Sequence, residues 1–217
     1  MKLRKYLKKL YRPRSLLDPT KNYIDLPRRL VEKYHNKIIL DVGAGRQRWN
    51  YRVLTLDKFE TADVRGDAGF LPVRSESTDL ILSIAVLEHV PNPLTALGEM
   101  QRVLRPGGEI YIEVPFLQPF HGSPNDYYRV TLNGLRQWCQ DFKEIKSGVC
   151  VGPGSAVAWL EIEYIRLWFG NIPLIGLVVE LLFRIWTLPL KFLDRYLISR
   201  KNVDYLASAV YFYGRKQ

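Results

Sequence analysis

Apolar positions along the chain follow two alternating patterns. Short, nearly continuous runs occur in Lys37-Ile-Ile-Leu-Asp-Val-Gly-Ala-Gly45, Arg52-Val-Leu-Thr-Leu-Asp57, Ser77–Ala85 and Glu109–Pro115, and each reads as a strand buried on both faces. A further short strand and loop is expected in Asp63–Val73. Between the runs lie segments of helical period: Leu26–Tyr34, with Pro27 in its first turn, and Pro93–Arg105, opened by Pro91-Asn-Pro93. Arg105-Pro-Gly-Gly108 reads as a turn. Beyond Pro115 the pattern predicts a helix over Thr131–Cys139, a strand over Phe142–Val151 and a last strand over Asp204–Arg215. Strand and helix in alternation predict an α/β fold, a Rossmann-like doubly wound sheet covered on both faces.

Two connections depart from that regularity. Between Asp41 and Arg52 the chain has room for little more than one helical turn, so the first crossover helix is cut short or replaced by a loop. Between the last two strands lie about fifty residues, far more than a hairpin needs. This insertion, about 153–204, is predicted to be helical. Within it Ile172–Leu193 is very apolar, and Glu180, Arg184, Lys191 and Arg195 fall on one narrow stripe at helical spacing. Such a helix suits a membrane interface, a lid against the domain or a partner chain, and the first is preferred. A spanning helix would bury Glu180 and Arg184 near mid-membrane at about 2.5–3.5 kcal/mol per charge.

Charge sharpens the picture at the N-terminus. Residues 1–37 carry 12 Lys/Arg against 3 Asp/Glu, while residues 38–217 carry 20 against 19. The basic character therefore belongs mainly to an N-terminal arm, residues 1–36, preceding a nearly neutral domain, 37–217. In the arm, Leu3, Tyr6, Leu7, Leu10 and Tyr11 form one helical stripe opposite lysines, a pattern suited to an anionic membrane surface. Packing against the domain is the even alternative. Nucleic acid is not expected as a partner. No secretory leader is recognised, and Cys139 and Cys150 lack a CxxC spacing, so a reducing, cytoplasmic setting is expected, with peripheral contact at the inner face of the membrane and no metal site.

The candidate chemistry gathers at the carboxyl ends of the first strands, where open α/β sheets take their ligands. Asp41 ends the first strand, and Gly43 and Gly45 let the backbone turn and approach a ligand closely. Asp57 ends the second strand, where an acid holds ribose hydroxyls. A dinucleotide fingerprint wants a third glycine where this chain has Arg48, so NAD fits poorly.

Asp41-Val-Gly-Ala-Gly45, Asp57, Gly66-Asp-Ala-Gly-Phe-Leu-Pro72, Asp79-Leu-Ile-Leu-Ser83, Leu87-Glu-His-Val90 and Leu104-Arg-Pro-Gly-Gly108 together resemble a class I S-adenosylmethionine-dependent methyltransferase of type 11. The likeness covers roughly Lys37–Val114 and the chain end. It implies strand order 3-2-1-4-5-7-6 with the last strand antiparallel. It also implies S-adenosyl-L-methionine as cofactor: Asp41, Gly43, Ala44 and Gly45 at the methionine end, Asp57 at the ribose, Asp67 and Ala68 at the adenine, and Leu87 near the methyl donor. The short stretch Arg46–Tyr51 departs from the family pattern.

The loop after the fifth strand carries His121, Asp126, Tyr127, Tyr128 and Arg129. It resembles the His…Asp-Tyr-Tyr-Arg loop of a bacterial branch of the family found beside polysaccharide and glycolipid assembly enzymes. Transfer to a hydroxyl needs a base, and His121 is the first candidate, with His89 second. Asp126, Tyr127, Tyr128 and Arg129 are the candidate substrate-binding residues, although pairing of Asp126 with Arg129 to close the loop is an equal reading. The expected reaction is O-methylation of a sugar or lipid-linked glycan. The alternatives are methylation of a lipophilic small molecule, such as a quinone precursor, and a non-catalytic module that binds cofactor or partner. A homo-oligomer is compatible with the sequence.

Overall fold

The computed structural model describes residues 16–49, 51–122 and 125–217. The basic helix expected over residues 2–11 lies outside them. By its contacts the chain divides into two compact units. One holds residues 24–116, 120–148 and 210–217; the described part of the other holds residues 16–23, 117–119 and 149–209.

The sheet has seven strands in the order β3-β2-β1-β4-β5-β7-β6. These are β1 Ile39–Val42, β2 Leu54–Asp57, β3 Val64–Arg65, β4 Thr78–Ile84, β5 Leu104–Pro115, β6 Phe142–Val151 and β7 Ala209–Lys216. Parallel pairing joins β1 to β2 and β4, β2 to β3, and β4 to β5. The last strand runs the other way. Lys216 Nζ donates to the Leu104 carbonyl at the start of β5, and the Leu117 amide donates to the Ala207 carbonyl beyond its end. Order and direction match the expectation. Leu40, Leu80, Ile81, Leu82, Ile110 and Ile112 are fully buried, so the central strands read as continuous apolar runs because both faces are covered.

Helix α1 (Leu26–Lys33) precedes the sheet, α2 (Pro93–Val103) follows β4 and α3 (Leu132–Trp138) follows β5. Asn92 caps α2 by accepting the Thr95 amide, and Thr131 Oγ1 caps α3 by accepting the Gly134 amide. No helix forms among the described residues between β1 and β2, as the short connection requires. Two expectations fail. The last strand begins at Ala209 rather than Asp204, because Val203–Leu206 form a 3-10 turn. Arg105–Gly108 is not a turn before the strand but part of β5, taken up as an irregularity where Thr78 pairs with Leu104 and Leu80 with Glu109. Gly107 at φ +76° absorbs the extra residues without ending the pairing.

At the base of the sheet Glu109 is buried and receives Lys33 Nζ (3.0 Å), Arg215 Nη2 (2.9 Å) and Tyr213 OH (2.5 Å). Burial alone would raise its pKa, but the hydrogen bonds from Tyr213, Arg215 and Lys33 prevail and hold it at about 2.

The second unit is built on two helices, α4 (Pro153–Phe169) and α5 (Pro173–Leu197). Asp194 of α5 is fully buried and accepts the amides of Gly154 (2.6 Å) and Ser155 (2.9 Å) and the Ser155 hydroxyl (2.7 Å). It thereby caps the first turn of α4 from across the hairpin. Of the polar stripe of α5, Glu180, Arg184 and Lys191 face inward, whereas Arg195 is exposed. Glu180 binds Arg184 and Arg166, each at 2.9 Å; Arg184 Nη1 donates to the Leu17 carbonyl, and Lys191 Nζ to those of Leu16 and Asp18. Leu174, Leu182, Ile185, Trp186 and Leu193 are exposed instead, Trp186 by 76%. No helix among the described residues is long and apolar enough to cross a membrane.

Candidate active site

The β1 loop has a shape that only glycine permits. Gly43 has φ +71° and Gly45 φ +52°. A Cβ at Gly43 would stand 2.4 Å from Val86 Cγ2, because the segment after β4 packs directly against this loop. The amides of Gly43 and Ala44 donate to the Leu56 carbonyl (2.7 and 3.2 Å), and the Gly45 amide donates to Asp57 Oδ2 (2.8 Å). The loop is thus tied to the end of β2 through its backbone.

Asp57 also accepts the Phe59 and Glu60 amides at 2.8 Å each. Burial pushes its pKa up, but the amides of Glu60, Phe59 and Gly45 outweigh that and hold it below the usual carboxylate range. Asp41 has the opposite balance. It is 3% exposed, and burial raises its pKa to about 6 despite the hydrogen bond from Trp49; the Asp57 charge adds to the rise. Trp49 Nε1 donates to Asp41 Oδ2 at 2.8 Å, a partner that no local pattern marks.

After β3, Asp67 accepts Lys58 Nζ (2.7 Å) and the Gly69 amide (2.8 Å), and these two bonds lower its pKa. Ala68 is buried beside it. Leu87 is fully buried, so its side chain packs beneath the turn after β4. A cleft of about 240 Å³ lined by Arg48, Trp49, Tyr51, Val53, Thr55 and Asp63 covers the flank of β2 that lacks a crossover helix. It does not include the β1 glycines or Asp57.

A second cluster forms where the turn Leu87–His89 meets the loop after β5. The Tyr127 amide donates to the Glu88 carbonyl at 2.7 Å, holding the two together. Glu88 is 1% exposed, and neither of its carboxylate oxygens has a hydrogen-bond partner among the described residues. Its Oε1 lies 3.6 Å from His121 Nε2 and 3.8 Å from His89 Nε2. The two imidazoles are edge to face, with centroids 5.2 Å apart. His89 Nδ1 is 2.5 Å from the Asn125 carbonyl, which can only accept, so the proton sits on Nδ1 and Nε2 carries the lone pair. His121 Nδ1 is 3.1 Å from Arg129 Nη2, which can only donate, so there Nδ1 accepts.

The candidate substrate residues divide. The Asp126 side chain is 2% exposed, forms a two-pronged pair with Arg129 and accepts the His121 amide at 2.8 Å. Burial raises its pKa, and the Arg129 pair and His121 amide more than reverse this. Asp126 and Arg129 thus close the loop and set His121 in place. The Tyr128 hydroxyl donates to the Pro91 carbonyl at 2.8 Å, and its ring meets Trp138 edge-on. Tyr127 is the exposed member of the set.

Residues 40–112 match the family model described as a methyltransferase domain. In these residues and in its strand order the chain is similar to class I S-adenosylmethionine-dependent methyltransferases. Among curated proteins it is similar to a tRNA U34 carboxymethyltransferase of Campylobacter fetus, 30% identical over 105 residues, covering 43% of this chain and 36% of that one. It is also similar to an uncharacterised methyltransferase of Mycobacterium ulcerans, 43% identical over 60 residues, covering 27% of this chain and 24% of that one. The chain therefore spans well under half the length of these two relatives. Among solved structures, the phosphoethanolamine N-methyltransferase 2 of Haemonchus contortus, crystallised with S-adenosylhomocysteine, superposes with a TM-score of 0.53 at 16% identity, over 90% of this chain and 53% of that one. The [4+2]-cyclase SpnF shares the fold at a TM-score of 0.51 and 14% identity, over 92% and 85%. These two likenesses concern the fold alone.

Proposed function

We propose that this chain transfers a methyl group from S-adenosylmethionine to a hydroxyl of a sugar or lipid-linked glycan at a membrane surface. The observation that carries the cofactor part is the β1 loop. Its glycine at 43 leaves no room for a side chain, and its amide at 45 is fixed by Asp57, so backbone rather than side chains forms the rim where a ligand would approach. Gly43, Ala44 and Gly45 would hold the methionine end, with Asp41 behind them. Asp57 has acceptor capacity left for ribose hydroxyls, and the Asp67–Ala68 segment would meet the adenine. When bound, the cofactor supplies an electrophilic methyl on a positive sulfur.

The rest of the chemistry falls to the side chains. Methyl transfer is governed by alignment, worth up to ~7–11 kcal/mol in favourable cases. A hydroxyl must also lose its proton as its oxygen attacks, and a base within reach contributes about 10²–10⁴-fold. His89 takes first place over His121 in this role, because the lone pair of His89 lies on Nε2, whereas His121 Nδ1 is engaged by Arg129. The Glu88 carboxylate beside both rings stabilises the imidazolium that forms. Asp126 and Arg129 hold the loop, and Tyr127 offers its ring to the acceptor.

The membrane part rests on α5. Its Glu180, Arg184 and Lys191 are spent on internal pairs and backbone carbonyls, while its apolar face is exposed. A lipid surface suits such a face. A second reading, an RNA acceptor, is favoured by the curated relatives named for tRNA U34 and runs against the expectation of no nucleic acid.

Purified protein, labelled S-adenosylmethionine and separate fractions of lipid-linked sugars, quinone precursors and tRNA test this. Label in the lipid-linked sugars supports the proposal. Label in the quinone or tRNA fraction alone overturns the glycan assignment, and cofactor binding with no turnover on any fraction favours a binding module.

A further inference from the structure

The cluster around Glu88 has a feature that a proton-accepting histidine does not explain. Its buried carboxylate has no hydrogen-bond donor among the described residues, and its closest side-chain neighbours are His121 Nε2 at 3.6 Å and His89 Nε2 at 3.8 Å. A buried carboxylate is normally paired or bound to a metal. Two imidazole nitrogens and a carboxylate that converge without a hydrogen bond leave room for a cation between them.

We propose that Glu88, His89 and His121 form a binding site for one divalent transition-metal ion, of the zinc, iron(II), manganese or cobalt class. One ligand atom from each residue lies within 4.8 Å of the other two. The Glu88 Oε1 separations of 3.6 and 3.8 Å exceed only slightly the ~3.4 Å between ligands of a tetrahedral ion with bonds of about 2.1 Å. Two imidazoles and one carboxylate suit transition metals, whereas magnesium and calcium prefer all-oxygen sets.

The surroundings fit this role. His89 donates Nδ1–H to a backbone carbonyl, the outer bond that fixes a metal-binding imidazole with Nε2 inward. His121 needs its proton on Nδ1 to ligate through Nε2. Asp126 Oδ2 lies 3.8 Å from Nδ1 and would accept a hydrogen bond from that Nδ1–H once Arg129 Nη2 gives way. Three protein ligands leave a position open, which an acceptor oxygen can take.

This inference builds on the methyl-transfer reading and changes the proton's route. A bound ion would commit the His89 lone pair and would supply Lewis acidity toward an acceptor hydroxyl in its open position. The hydroxyl proton would then leave to water, with the oxygen pair free to form the bond to the methyl carbon while the carbon–sulfur pair stays on sulfur. No oxidant, reductant or further reactant enters.

Cobalt(II) titration of the full, tag-free chain, followed by visible absorption and calorimetry, tests the site. The expected result is one ion per chain, displaced by zinc and not by magnesium. Glu88→Gln and His121→Ala should each weaken binding by roughly 100-fold or more, beyond the 10–100-fold that an outer partner costs. The remaining histidine, His35, is exposed, and His35→Ala should bind cobalt as the parent does. Circular dichroism and S-adenosylmethionine calorimetry on the same samples report folding and the cofactor site. Absence of stoichiometric cobalt binding by folded parent protein, or equal binding by folded Glu88→Gln and His121→Ala, overturns the metal site. If cobalt binds as expected but S-adenosylmethionine does not, the metal site stands and the methyl-transfer reading falls.

Discussion

The indole of Trp49 donates to Asp41 Oδ2 over 2.8 Å, so the acid that ends β1 is held by the short connection that follows it. A buried acid with a single strong donor keeps its proton longer than usual, hence its pKa of about 6. The folded state binds that proton more tightly than the unfolded chain. Asp41 therefore favours folding fully below about pH 4, and its contribution is lost as pH rises through 6. A rise of about two units corresponds to about 3 kcal/mol. Urea unfolding of wild type and Asp41→Asn across pH 4–8 should show the wild type losing stability relative to the variant over that window. A constant difference between the two would place the Asp41 pKa elsewhere.

Asp57 links the Gly45 amide to those of Phe59 and Glu60. Asp57→Ala should weaken S-adenosylmethionine binding at least tenfold and cost about 1–3 kcal/mol of stability, because three partly buried donors lose their acceptor. Calorimetry reads the first and thermal melting the second. Undiminished cofactor binding by this variant removes Asp57 from the site.

Whether His89 takes the acceptor proton itself or helps hold an ion that acidifies the acceptor, His89→Ala should lower turnover of the labelled fraction by about 10²–10⁴-fold with cofactor affinity unchanged. His121→Ala should also lose activity, and the pH profile of the remaining rate separates the two roles. If both variants turn over as the parent does, neither imidazole takes part.

Gly154 lies beside the Leu190 carbonyl, where a Cβ would stand 2.1 Å from the oxygen. Backbone cannot yield as a side chain does, so Gly154→Ala should destabilise by about 1–3 kcal/mol. Ser155→Ala removes one of the three bonds to Asp194 and should cost about 1 kcal/mol. Chemical denaturation followed by helix ellipticity checks both.

Trp186 is exposed on the apolar face of α5. Trp186→Glu should reduce co-sedimentation with anionic vesicles several-fold while leaving S-adenosylmethionine binding intact. Equal sedimentation of both proteins would argue against lipid contact through this helix.

The sheet was legible because its strands are continuous apolar runs and the carboxyl ends of the first two carry Asp41, Gly43 and Asp57. The inward stripe of α5 was legible as a periodicity, although its partners, carbonyls of Leu16, Leu17 and Asp18, were not. Arg105–Gly108 misled because proline and glycine usually end a strand, whereas pairing on either side carries this one through. Glu88 was passed over for a similar reason. In sequence it is an ordinary acid beside a histidine, and only the fold shows it buried without a donor. Likewise, nothing local marks Trp49 as the partner of Asp41, since that contact depends on a connection too short for a helix.

The contact between Gly43 and Val86 has a consequence for divergence. Position 43 is held to glycine twice over, by its φ of +71° and by the Val86 methyls, so shrinking residue 86 alone would not admit a side chain at 43. Relatives should therefore keep glycine at 43 even where 86 differs. A change at 86 would instead move the β1 loop against the turn bearing Glu88 and His89, shifting the two together.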